Sequence, residues 1–276
     1  MTAPYLFLII SIMWWGYKFL AFYLAIILLS TALAIALRAM RREKEVTSTS
    51  QARVKITWRE MVPVTLGVSL LMVAYLDRRP LASLGLHFYP SWVQELLLGT
   101  IIGGVMVVVA AGVIYVLSHQ VRLMMPSSMS LGNMLRHLLG HLLGVVGEEL
   151  FSRGYPLQVL VIGIGMWPAV GVTSALFGLL HYQRLGWLGV IDTGLSGLLF
   201  SLAIVKTKAL WMAIGIHFGW NFFEALLMRP GEERDHLSLI ASIIVTIIFL
   251  LVMLWLPLQP HPEMERLWHE YIQSTR

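Results

Sequence analysis

Residues 147–155 read GEELFSRGY and carry three ionisable side chains, Glu148, Glu149 and Arg153, between the strongly apolar runs HLLGHLLGVV and PLQVLVIGIG. On a helix, residues four apart share a face. Glu149 and Arg153 therefore pair, with the acid N-terminal to the base in the better orientation, while Glu148 is turned about 100° away. That arrangement neutralises one glutamate structurally and leaves the other available for chemistry. Two later apolar segments repeat the spacing: FGLLH puts Phe177 and His181 four apart, and HFGWN does the same for His217 and Asn221. A buried Glu, two His and an Asn brought together supply a general base, a group that orients water, and donors for a developing oxyanion. Those are the parts needed to hydrolyse an amide. The ordinary alternative for the first motif is an ion pair tying helices together, or a helix end at the interface. Ionisable residues inside a membrane are rare and usually functional, which favours chemistry.

Other polar residues compete for the same role. A lone histidine is more often a satisfied core residue, so His181 and His217 stand out by their spacing to Phe177 and Asn221. His137 and His141 also lie four apart, but helical rise puts His141 roughly 10 Å from Glu148 along the axis, beyond a shared coordination shell. Beside Arg136, that pair belongs at the membrane edge. Asp192, after QRLGWLGVI, and Glu224, seven residues beyond His217 and on its face, are either interfacial residues or supports behind the site. The sequence has no cysteine, which removes disulfides, thiolate zinc sites and cysteine nucleophiles. There is no H-E-x-x-H, and Asn221 presents a carboxamide where a second zinc ligand is wanted. No cofactor is expected, and a zinc-dependent hydrolase is the lesser alternative.

Helices in a bilayer must position these groups. Of the 276 residues 58% are hydrophobic and 13% charged, with a mean hydropathy of +0.76; a soluble domain is closer to half apolar and a quarter charged. The expectation is an all-α, polytopic transmembrane bundle, one domain over 1–276, with about eight spans and the active site within the bundle. The net charge of +5 and pI near 9.6 come from basic residues gathered in loops without interleaved aromatics, a positive-inside bias and not a nucleic-acid surface. Spans are predicted at 19–37, 61–76, 93–117, 131–162, 167–181, 189–205, 209–228 and 236–256. Residues 3–17 end in an interface grouping of Trp14, Trp15, Tyr17 and Lys18 and leave an extra short span open; the N-terminus has no basic residue before Lys18 and reads as retained. Loop 38–60, with Arg38, Arg41, Arg42, Lys44, Arg53, Lys55 and Arg59, marks the cytoplasmic side. PSSMS offers a helix N-cap, Gly99, Gly103 and Gly104 predict close helix packing, and Pro257 and Pro260 precede an amphipathic surface tail, 257–276.

EELFSR, FGLLH and HFGWN fit E-E-x-x-x-R, F-x-x-x-H and H-x-x-x-N, and their order resembles the family of CAAX prenyl proteases and bacteriocin-processing proteins, glutamic-type intramembrane endopeptidases. KTKALWMAIGIHFGWNF is similar to that family's third-motif helix. The resemblance covers about 78–228, the expected catalytic core. It implies that Glu148 activates water, that His181 holds and polarises it, and that His217 and Asn221 form the oxyanion hole, with Glu149, Arg153 and Phe177 in support. FEALLMRPGEERD stands where bacterial members often carry a glycine-rich stretch. The implied activity is hydrolysis of a peptide bond in a membrane-associated or lipid-modified protein, in the lipid bilayer of the plasma membrane, with no nucleic acid involved. The alternatives are the zinc version, a non-catalytic scaffold or immunity protein, and a proton-coupled transporter. The inverted repeats common in transporters are not seen in the sequence.

Overall fold

Ten α-helices, and no strand among the described residues, make up the computed structural model, which describes residues 3–44, 58–119, 130–227 and 235–273. Four helices are long and apolar enough to cross a membrane, in the segments Ile9–Ala36, Trp92–Ser118, Tyr182–Thr207 and His236–Trp255; Val62–Leu76 and Met166–Leu180 are shorter apolar helices. The first helix, α1, runs without a break over Ala3–Lys44. It joins the segment 3–17 to the predicted span 19–37, so the former is the start of one helix and no separate crossing. The helix also continues past the predicted loop start at 38; residues 45–57 of that loop lie outside the described residues.

After α2 (Trp58–Leu71) and α3 (Trp92–Ser118) comes the region predicted as one helix over 131–162. It begins as expected: Ser130 caps α4 (Leu131–Glu149), its hydroxyl accepting from the Asn133 N–H at 3.3 Å. It is not uniform, because a π-helical turn over Leu150–Gly154 separates α4 from α5 (Tyr155–Ile164). Pro156 is the local reason. Its ring lacks an N–H and clashes with the preceding turn of a regular helix, and the widened turn absorbs the misfit.

Helix α6 (Met166–Leu180) leads into α7 (Tyr182–Thr207), which starts seven residues before the predicted 189 and is kinked at Gly186. Then follow α8 (Trp211–Leu227), α9 (His236–Trp255) and α10 (Pro262–Gln273). The tail helix is amphipathic as expected, and its apolar side is buried through Met264, Trp268 and Tyr271.

Two small-residue stripes, Gly99 and Gly103 on α3 and Gly215 and Gly219 on α8, interlock and set the position of α8. A Cβ at Gly103 would fall 2.2 Å from the Ile216 carbonyl oxygen, and one at Gly219 2.3 Å from that of Thr100. Without Cβ atoms the two backbones touch, the small-xxx-small packing of membrane helices. Gly104 accommodates the Phe223 ring instead, where a Cβ would meet it at 2.8 Å. The glycine stripe on α8 flanks the segment that carries His217, so it bears directly on the site.

Candidate active site

The last residues of α4 set two carboxylates back to back. Glu149 is fully buried, and its two oxygens accept from Arg153 Nη1 at 3.0 and 2.9 Å. Arg153 belongs to the π-helical turn and reaches α7, where Nε donates to Ser201 Oγ at 3.1 Å and Nη2 to the Gly197 carbonyl at 3.3 Å. Its guanidinium carbon lies 4.6 Å from the Phe177 ring centroid and 5.3 Å from that of Phe200. Glycine at 197 leaves room for this contact, since a Cβ there would sit 3.0 Å from Arg153 Nη2 and 3.1 Å from the Ser174 Cα.

Glu149 does more than balance Arg153. Its Oε1 lies 2.8 Å from His217 Nδ1 on α8, and because a carboxylate only accepts, Nδ1 donates. Held there, the His217 ring stacks on Phe200 at 4.7 Å and 15° and meets Phe177 edge-on at 5.9 Å and 89°. Its other nitrogen, Nε2, faces Glu148 Oε2 at 3.6 Å. Thus the glutamate expected to be merely neutralised also orients the histidine beside its neighbour.

Glu148 faces the other way. Its side chain keeps 12% exposure against none for Glu149, and it lines a cavity of about 250 Å³. Phe177, His181, His217 and Asn221 line the same cavity, so segments far apart in sequence converge there. His181 closes the end of α6, and Nδ1 sits 2.8 Å from the Phe177 carbonyl oxygen, to which it donates. In the neutral ring that leaves Nε2 as the acceptor.

The remaining candidates stay outside this wall. His137 and His141 stack on each other at 6.4 Å, and His141 meets Phe222 edge-on at 6.4 Å. Asp192 is buried on α7 and Glu224 half-buried on α8, but neither lines the cavity. The sequence reading missed the partners on α7. Gly189, Thr193, Gly197 and Ser201 recur every four residues in an otherwise apolar helix, and that stripe of small and polar side chains was the available signal. Phe200 and the cavity residues Arg184 and Trp220 had no such signal.

Residues 130–223 match the profile of the Rce1-like family, described as type II CAAX prenyl endopeptidase Rce1-like. The match spans about a third of the chain and is to a family of CAAX prenyl endopeptidases. It holds all seven residues of the three motifs, and it is shorter than the 78–228 expected from the resemblance. No curated protein matches the chain. The likeness is to an endopeptidase family, and apolar helices surround the matched region.

Proposed function

We propose that the protein is a CAAX-type intramembrane endopeptidase that cleaves a membrane-associated or lipid-modified protein by glutamate-activated water. The site lies inside a polytopic bundle of about eight spans, in the plasma membrane, with the basic segment 38–60 on the cytoplasmic side. One observation carries this reading: of two adjacent buried glutamates, one is fully committed to Arg153 and His217 while the other faces the cavity shared with His181, His217 and Asn221.

In this mechanism the Glu148 carboxylate takes a proton from water positioned with the help of His181 Nε2, and the resulting hydroxide attacks the scissile carbonyl carbon. Electrons move onto the carbonyl oxygen, and the oxyanion is met by donors from His217 and Asn221. Glu148 then returns the proton to the leaving nitrogen as the carbon–nitrogen bond breaks. His217 has a constraint of its own. Its Nδ1 hydrogen is held by Glu149, so Nε2 donates to an oxyanion only when the ring carries both hydrogens. Glu149 supports that imidazolium as a buried counter-charge, an orienting role like that of the carboxylate in other hydrolase triads.

Metal-free chemistry is part of the proposal. Among the described residues no three His, Asp or Glu side chains form a metal-ligand set, and both Glu149 oxygens and His217 Nδ1 are occupied by one another and by Arg153. The deciding experiment is cleavage of a quenched prenylated peptide by protein in nanodiscs. Turnover is expected in wild type and with chelator, and a fall of about 10²–10⁴-fold in Glu148→Gln; activity near the wild-type level in that variant rejects the mechanism.

A further inference from the structure

Among the described residues on the cavity wall, Arg184 is the one Arg or Lys, and the motifs give it no role. It sits three residues after His181 on the short turn that opens α7, where the N–H groups of Arg184 and Leu185 donate to the His181 carbonyl at 3.1 and 3.0 Å. The chain then kinks at Gly186, with φ 64 and ψ −166, a conformation that side-chain-bearing residues rarely adopt. At the kink Leu185 packs so closely on α7 that a Cβ at Gly189 would lie 2.0 Å from the Leu185 Cβ. Two glycines therefore fix the turn over the cavity, and the position of Arg184 is built into the fold. Its side chain is exposed and lines the same cavity wall as Glu148.

We propose that Arg184 recognises a carboxylate on the peptide substrate and so selects which peptides are held against Glu148. This rests on the proteolytic function above. The cavity, about 250 Å³, is below the roughly 300–1,000 Å³ of drug-sized sites and suits a short stretch of peptide. Met106, Leu180, Leu185, Ile216 and Trp220 give it apolar walls for aliphatic side chains. An anionic peptide entering there is repelled by the Glu148 carboxylate, and a guanidinium on the wall reverses that penalty. Its planar fork pairs with a carboxylate through two parallel hydrogen bonds, which an ammonium reproduces only in part. The carboxylate is either the α-carboxylate of a nearby C-terminus or an acidic side chain.

The test uses one quenched peptide, a prenylated cysteine followed by aliphatic residues, in three forms: free C-terminal acid, C-terminal amide, and amide with a terminal aspartate. Wild type, Arg184→Gln, Arg184→Lys and Glu148→Gln are compared in nanodiscs. Wild type is expected to prefer the acid to the amide by about tenfold in kcat/KM, the size of one charge-assisted pair. That ratio is expected near one in Arg184→Gln and intermediate in Arg184→Lys. If the aspartyl amide behaves as the acid, any carboxylate within reach is accepted; if it behaves as the plain amide, the α-carboxylate is the ligand. Either result supports the assignment. Equal cleavage of acid and amide by wild type, or an undiminished acid preference in Arg184→Gln, overturns it. A cation that only anchors the turn to lipid phosphate would lower cleavage of all three peptides alike, which also overturns it. Cleavage that persists in Glu148→Gln counts instead against the proteolytic function. Should no form be cleaved, fluorescence anisotropy of acid and amide binding to wild type and Arg184→Gln reads the same preference without turnover.

Discussion

Two buried acid clusters in this molecule invite comparison. After the π-helical turn Met72–Leu76 that follows α2, Asp77 accepts from Lys18 of α1 at 2.5 Å through one oxygen and from Arg79 at 2.6 Å through the other, and its side chain is fully buried. Lys18 in turn lies 4.0 Å from the Trp15 ring, and the Arg79 guanidinium 3.4 Å from the Tyr271 ring of α10. The cluster thus ties the N-terminal and C-terminal helices to the segment after α2. Glu149, with Arg153 and His217, is built on the same plan: a carboxylate whose oxygens are all engaged by cationic or donor groups. What sets the second cluster apart is its neighbour, Glu148, which faces a cavity. A buried charge is therefore no signature of function by itself. The proposed function rests on the further fact that Glu148 lines a cavity.

The largest effect that would sharpen this contrast is the loss of Glu148. Glu148→Gln keeps the shape and removes the base, so turnover falls by about 10²–10⁴-fold while thermal unfolding in detergent stays at the wild-type temperature. Next come the committed clusters. Arg153→Ala leaves Glu149 short of its partner, and Asp77→Ala leaves two cations facing each other; each is expected to destabilise the protein by about 3–5 kcal/mol. Unfolding curves measure the loss, and turnover per folded molecule separates the two: it is retained in Asp77→Ala and reduced in Arg153→Ala, where the orientation of His217 suffers. Equal turnover losses in both would erase the distinction between the clusters.

A smaller effect is predicted for Asn221→Ala, about 2.7–4 kcal/mol in kcat with peptide binding retained, as for loss of one oxyanion donor. Matched losses in binding and turnover would make Asn221 a residue that positions substrate. The smallest belongs to an acid at the surface. Asp235 caps α9, accepting the Ser238 N–H at 2.8 Å, and hydrogen bonds from the Ser238 hydroxyl and backbone hold its carboxyl below the usual range. Its contribution is thus present above the ordinary Asp pKa of about 3.9 and is lost as pH falls through the lowered value. Asp235→Ala should cost about 1 kcal/mol at neutral pH, with the difference from wild type vanishing in strong acid.

Much of this was legible from spacing alone, because a helix puts residues four apart on one face whatever surrounds it. The pairs Glu149 with Arg153 and Phe177 with His181 are of that kind, and so is the Ser130 cap. Apolar length likewise marks where helices cross a bilayer, since the hydrocarbon core forces backbone hydrogen bonds inward. The glycines of α3 announced close packing for the same local reason. Tertiary structure alone decided the rest, because it joins residues with no periodic relation. That Glu149 serves His217 as well as Arg153 depends on where α8 sits, and this in turn depends on Gly99 and Gly103 meeting Gly215 and Gly219 backbone to backbone. The kink at Gly186 that carries Arg184 to the cavity looks, in sequence, like any other glycine. Residue types and intervals determined which groups could do chemistry; the approach of the helices decided which carboxylate was committed and which was left facing the cavity.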